Sequence, residues 1–312
     1  MPPIRLIAPI ALLLWAGQAN IGQGQPLSRY AYQHPQMGTL FRLVLYAADS
    51  VQAGQAAAAA FARIDALNAK LSDYRAESEL SRLGRSSDST SAWVAVSPDM
   101  EAVLRQAQAI STRTEGAFDI TIGPLSRLWR RAFRQGAFPD NLALAEARER
   151  VGCQNLQLHP DEPKVKLLRP GMRLDAGGIA KGYAVDEAMK VLQQQGITIA
   201  LVDGGGDLWA GAPPPGESGW KVEVQGDTML TIANCAIATP GDAYRYLEWQ
   251  GRRYSHIIDP RTGLGVSHGK QVTVLAPNCT LADALASALS VEPGLEISLE
   301  AVFQDCSFRI KD

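Results

Sequence analysis

The segment Asp175-Ala176-Gly177-Gly178-Ile179-Ala180-Lys181-Gly182-Tyr183-Ala184-Val185-Asp186 carries three glycines, one lysine and two flanking acids, and it runs into an amphipathic stretch. Glycines let a backbone come close to a ligand, and a helix start offers free N–H groups to an anion. Lys181 adds a point charge. The combination suits a phosphorylated cofactor, although a tight strand-to-helix turn with a surface lysine would use the same residues. Asp283 and Ser287 stand four apart in a run of helical periodicity, so they share one helix face. A carboxylate and a hydroxyl are hard oxygen donors, suited to Mg2+ and to Mn2+ alike. A helix-start aspartate and a small packing serine would read the same way. His256 is one of four histidines and lies beside the turn-forming run Asp259-Pro260-Arg261-Thr262-Gly263. A neutral imidazole there can take a proton from a hydroxyl near neutral pH, or it can be buried and merely fix the turn.

The elements around these residues follow from periodicity. Met37 to Ala47 alternates as a strand, and Gln52 to Leu71 carries Phe61, Ile64, Leu67 and Leu71 at helical spacing. Leu71-Ser72-Asp73-Tyr74 ends that helix, and a short helix covers Ser78 to Leu83. Pro98 to Thr114 reads as a helix closed at Gly116-Ala117-Phe118-Asp119. Leu125 to Phe133 is a basic-aromatic helix whose Arg130 and Arg131, with Arg134 just beyond, read as a solvated face. Further helices are expected at Leu142–Val151, Tyr183–Gln195, Thr280–Val291 and Glu296–Gln304. Strands are expected within Leu156–Leu168 and at Ile197–Val202, Trp220–Val224, Thr231–Ala238, Tyr244–Trp249, Arg253–Ile258, Val272–Ala276 and Ser307–Ile310. The reading is one compact α+β domain with a large, mostly antiparallel sheet and inserted helices.

Composition bounds the function. Of 312 residues, 46% are hydrophobic and 20% charged, which is ordinary for a globular chain. A net charge of −2 supplies no basic field for nucleic acid, so no nucleic-acid partner is expected. Arg5, the apolar run Leu6–Trp15 and Ala16-Gly17-Gln18-Ala19 read as an export signal, with cleavage expected after Ala19, although a buried N-terminal helix would use the same run. That division leaves 1–19 as signal peptide, 20–34 as an N-terminal tail and 35–312 as the folded domain, placed in the periplasm. No cysteine stands near position 20 to take a lipid. Cys153, Cys235, Cys279 and Cys306 are far apart and form no CxxC motif; they read as small core residues, with pairing left open.

Eight ordered segments make a set. They are Met37-Gly38-Thr39, the Leu71–Tyr74 end with Ser78-Glu79-Leu80, Gly116 to Leu125, and Asp175 to Asp186. Val202-Asp203-Gly204-Gly205-Gly206-Asp207-Leu208, Ala238-Thr239-Pro240-Gly241-Asp242, Ser255 to Gly263, and Ala282 to Leu289 complete it. Across roughly residues 35 to 310 this order and wording resemble the ApbE-type flavin transferases (FAD:protein FMN transferases, formerly called thiamine biosynthesis lipoproteins). The resemblance implies an ApbE-like, T-fold-related fold and transfer of FMN from FAD to a Ser/Thr of an acceptor protein, with AMP leaving. It assigns Mg2+ to Asp283, Ser287 and a backbone carbonyl at Gly178; threonine is the usual family residue at position 287. It makes His256 the candidate general base. Met37, Tyr74, Ala117, Phe118, Asp119, Asp175, Lys181 and Ile258 match positions that contact FAD, and Lys181 would neutralise the diphosphate or aid the leaving phosphate. The implied acceptors are subunits of membrane redox complexes. An FAD pyrophosphatase giving FMN and AMP, and a non-catalytic flavin-binding protein, would carry nearly the same motifs.

Overall fold

A computed structural model describes residues 26–88, 92–224, 228–240 and 246–311. The signal-peptide reading, Gly241-Asp242 and Tyr244 lie outside them. Among the described residues fourteen strands and eight α-helices follow in chain order. The first half contains β1 (Ser28–Gln36), β2 (Thr39–Ala47), α1 (Ser50–Leu71), α2 (Glu79–Ser86), β3 (Val94–Ala95), α3 (Pro98–Arg113), α4 (Gly123–Gln135) and α5 (Asn141–Glu149). Then come β4 (Leu156–Leu158), β5 (Lys164–Leu167), α6 (Ala180–Gln194), β6 (Ala200–Asp203), β7 (Asp207–Ala210), β8 (Trp220–Val224) and β9 (Thr228–Ile232). The chain closes with β10 (Cys235–Ala238), β11 (Tyr246–Trp249), β12 (Arg252–Ser255), β13 (Gln271–Ala276), α7 (Cys279–Val291), α8 (Glu296–Val302) and β14 (Ser307–Lys311).

Seven strands form one sheet in the order β1-β2-β6-β7-β10-β13-β14, and every neighbouring pair is antiparallel. The expected large antiparallel sheet with inserted helices is therefore present. Met37 (φ 51) and Gly38 (φ 75) both take left-handed backbone between Gln36 and Thr39, which pair across the hairpin. Two positive φ values in a two-residue turn match the right-handed twist of the flanking strands. The hairpin also draws β1 out of the span read as a tail, because its residues pair with β2 along the whole length from Ser28 to Gln36.

Helices α1, α6 and α7 cover one face of the sheet and share its main core. Ala53, Ala56, Ala57 and Ala60 make the buried stripe of α1 narrow, so α6 packs close against it. Sharp caps set the helix starts. The Asp49 carboxylate accepts from the Val51 and Gln52 amides, and the Ser97 hydroxyl accepts from Met100. The expected single strand Thr231–Ala238 is in fact two strands in two sheets. Asn234 adopts φ 52 and turns the chain, so β9 pairs with β8 while β10 joins the large sheet. Asparagine is among the few residues that tolerate that backbone. The hairpin β8–β9 places Trp220, Val224 and Ile232 against Leu208, Ala210 and Ile237 of the sheet. A third cluster joins α4, α5 and the hairpin β11–β12 around Trp129.

Candidate active site

Helices α6 and α7 approach so closely that a Cβ on Gly182 would lie 2.3 Å from the Cys279 carbonyl oxygen. Only glycine fits there. The close approach puts the Asp283 carboxylate within 3.1 Å of the Gly182 amide, which donates to it. Asp186, one turn further along α6, accepts hydrogen bonds from the Cys279 and Thr280 amides at 2.7 and 2.9 Å and so caps the start of α7. The two helices are thus locked in register, with Asp283 and Ser287 one turn apart on α7. Gly178 lies against the same face. A Cβ there would stand 2.6 Å from the Ser287 hydroxyl and 3.4 Å from the Phe118 ring.

Lys181 projects from the first turn of α6 to an ion pair with Asp207 at the start of β7. Asp207 is 2% exposed and Asp283 is 4% exposed. Burial pushes the Asp207 carboxyl up, against the pull of Lys181. Burial, reinforced by the Asp207 charge, pushes Asp283 up to about 7. The lysine side chain keeps 29% of its surface exposed, yet its ammonium lies among Asp207, Asp283 and Cys279. Burial alone would lower its pKa, but the two carboxylates outweigh that and raise it, so Lys181 stays charged. It is neither a base nor a freely solvated lysine.

With both carboxylates ionised, Asp207, Asp283 and the Lys181 ammonium would carry one net negative charge, and burial resists that state by raising both carboxyls. Among the described residues no three His, Cys, Asp or Glu side chains gather as a metal cluster. The donors present are instead one carboxylate (Asp283), one hydroxyl (Ser287) and the Gly178 backbone pressed against it. These are hard oxygens, and a divalent cation would correct the charge deficit, so the residues fit Mg2+.

A second cluster forms at the far end of the Gly-rich segment. Arg130 of α4 bonds both to Asp73 and, at 2.8 Å, to Asp175. Its guanidinium carbon also sits 4.1 Å from the centroid of the Tyr74 ring. Tyr74 is otherwise 73% exposed. The other Asp175 oxygen accepts from the Gly177 amide at 2.8 Å and shapes the turn leading to Gly178. The solvated face expected for Arg130, Arg131 and Arg134 therefore holds for the exposed Arg131 and Arg134 but not for Arg130. Its long stem lets the guanidinium reach back to two acids that lie far away in sequence.

The neighbouring residue on α4 holds another part of the site. The buried Trp129 indole donates to the Gly263 carbonyl at 2.8 Å. Its ring centroid lies 5.8 Å from that of Tyr254 and 5.4 Å from that of Phe138. These contacts clamp both ends of the segment 254–263, which carries His256 and the buried Ile258. His256 itself is exposed immediately after β12, so it is not buried.

The structure thus gathers Gly178, Lys181, Asp283, Ser287 and Phe118 in one place, and it joins Tyr74 to Asp175 through Arg130. Arg42 pairs with Asp203 across β2 and β6, which puts the Met37 turn at the same end of the sheet as Asp207. Ala117 is buried beside Phe118. Asp119 is engaged elsewhere. It accepts from the Thr121 amide and hydroxyl and from the Cys153 amide, and it lines a cleft with Gly116, Cys153, Arg148, Pro260 and Arg261. Asp207 and Arg130 are the site residues missed by sequence reasoning. Asp207 does close a Gly-rich segment of the motif set, which was its one available signal. All four cysteines are unpaired.

The chain is similar to known proteins over most of its length. Over 300 residues the chain is 32% identical to the FAD:protein FMN transferase of Vibrio cholerae, covering 92% of this chain and 86% of that protein. It is 32% identical over 268 residues to the protein of the same name from Klebsiella pneumoniae, covering 82% and 76% of the two. The solved flavin transferase ApbE of Vibrio cholerae superposes with a TM-score of 0.79 at 30% identity, over 91% of this chain and 94% of that one. Residues 37–303 match the ApbE family, and the chain belongs to that family.

Proposed function

We propose that this chain is an exported, Mg2+-dependent transferase that moves FMN from FAD to a Ser or Thr hydroxyl of an acceptor protein and releases AMP. The observation that carries the reading is the buried group of Asp207, Asp283 and Lys181 beside Gly178 and Ser287, in a chain of the ApbE family. Asp283, Ser287 and the Gly178 carbonyl would hold Mg2+, which supplies charge neutralisation for the phosphate oxygens. Lys181, kept protonated by its two carboxylates, places a fixed positive charge beside the diphosphate. Phe118 walls the Gly178 side, while Tyr74, Asp175, Met37 and the backbone around Ala117 and Asp119 line the path of the rest of FAD, with Ile258 beneath the His256 turn.

In the reaction, the acceptor hydroxyl oxygen bonds to the FMN phosphorus and the bond from that phosphorus to the bridging oxygen breaks. The bridging oxygen leaves with AMP, and the hydroxyl proton passes to the His256 imidazole. A base that serves a protein-borne hydroxyl must be reachable from solvent, and the exposure of His256 suits that task better than a buried site would. The leader-like residues 1–19 support a periplasmic location, where a subunit of a membrane redox complex would be the acceptor. Among the described residues no helix is long and apolar enough to cross a membrane.

The test is an assay of the purified protein with FAD and Mg2+, with and without an acceptor domain, following AMP, free FMN and acceptor mass. Acceptor-bound FMN matched by AMP is expected. AMP with free FMN regardless of acceptor would instead make the chain a pyrophosphatase, and FAD binding without turnover would make it a flavin-binding protein. The H256A variant is expected to lose about 100-fold or more in transfer while FAD binding stays near wild type; unchanged transfer would remove His256 as the base.

A further inference from the structure

We infer that Arg130 is a positioning residue that locks Tyr74 and Asp175 in place so that one face of the tyrosine ring is presented to a planar ring of FAD. The inference rests on the reading of the chain as an FAD-using protein. Three observations carry it. The guanidinium bonds at once to Asp73, at the close of α1, and to Asp175, before the Gly-rich turn, so it ties two loops that are distant in sequence. The same guanidinium lies 4.1 Å from the Tyr74 ring centroid. Tyr74 is 73% exposed, so little else fixes its rotamer.

A tyrosine this exposed would lose rotamer freedom on stacking with a ligand, and that loss weakens binding. A cation on one face holds the ring in advance and leaves the other face open. Arginine suits the task better than lysine, because its planar fork can bridge two carboxylates while its flat surface stacks on an aromatic ring. Asp175 gains as well. Its second oxygen holds the Gly177 amide, so the arginine also sets the turn that delivers Gly178. Burial and the nearby Asp175 charge push Asp73 up to about 6 even with Arg130 in place, so the two acids would repel each other without it.

The experiment measures FAD affinity by quenching of flavin fluorescence, together with transfer kinetics, for R130K, R130M and Y74A and for R130M combined with Y74A. R130M is expected to weaken FAD binding about tenfold, raising KM for FAD with kcat at saturating FAD nearly unchanged. R130K, which keeps the charge but not the fork, should recover only part of this. Y74A in the R130M background should add much less than it does in the wild type, because both changes remove the same preorganised ring. Wild-type affinity in both Arg130 variants, full additivity with Y74A, or a fall confined to kcat would overturn the inference. Global unfolding of both R130K and R130M would assign Arg130 to the scaffold and overturn it too. If the wild-type protein binds no FAD, the functional reading falls along with the inference; if it binds FAD and the variants match it, only the role of Arg130 falls.

Discussion

Around Arg130 and around Lys181 the chain builds the same charge count, one cation and two carboxylates. Arg130 satisfies both of its acids, because a guanidinium offers a rigid fork of donors. Lys181 is a point charge and commits to Asp207, so Asp283 keeps the Gly182 amide as its bonded donor, and burial pushes its carboxyl up to about 7. One cluster is closed and can serve as a clamp. The other has a carboxylate in reserve next to the Ser287 hydroxyl and the Gly178 backbone, which is the condition for taking a divalent cation. The type of cation, more than the number of acids, separates a structural network from a candidate metal site.

Removing the reserve carboxylate is the strongest way to break this contrast. D283N should lower transfer by roughly 1,000-fold, the several kcal/mol that a bound cation supplies at a phosphoryl centre. Thermal stabilisation by Mg2+ should disappear with it. If D283N keeps Mg2+-dependent transfer, the metal lies elsewhere.

The second change removes the point charge. K181M leaves Asp207 and Asp283 buried and facing each other without their cation, a kind of change that costs about 3 kcal/mol or more. Urea unfolding should register that loss, and Mg2+ should restore part of it. A variant as stable as wild type would mean that the two acids are open to water or protonated and need no cation.

The smallest effect is one of pH. Asp283 has a folded pKa of about 7 against an ordinary value of 3.8. Between those values the folded protein keeps a proton that the unfolded chain has lost, so the contribution of Asp283 to stability falls as pH rises through that window. Mg2+ bound at Asp283 would compete with the same proton. The rise in Tm caused by Mg2+ should therefore be larger at about pH 8 than at about pH 5.5. Equal shifts at both would separate Asp283 from the metal.

Much of the architecture was legible in the sequence. Helix α1 starts at Ser50, two residues before the expected Gln52, and carries its apolar stripe from Phe61 to Leu71, and helix α7 follows the run from Thr280 to Val291. Those elements announce themselves because 3.6-residue spacing is a local property. The misses share a physical cause. Strand β7 spans only Asp207–Ala210 after a Gly-rich turn, too short to show a period. Asn234 divides one apolar run between two sheets, and the choice of partner strand is not written within the run.

The sequence by itself determined the candidate residues and the elements that bear them: the Gly-rich turn before α6, the Asp283–Ser287 spacing, the segment with His256. Tertiary structure decided which charges meet. Lys181 reaches Asp207 across 26 positions and Arg130 reaches Asp175 across 45. Those meetings depend on how tightly α6 packs on α7 and on where β7 falls in the sheet. A side chain's partner, its burial and hence its pKa are set by neighbours that the chain supplies from a distance, which no local pattern can specify.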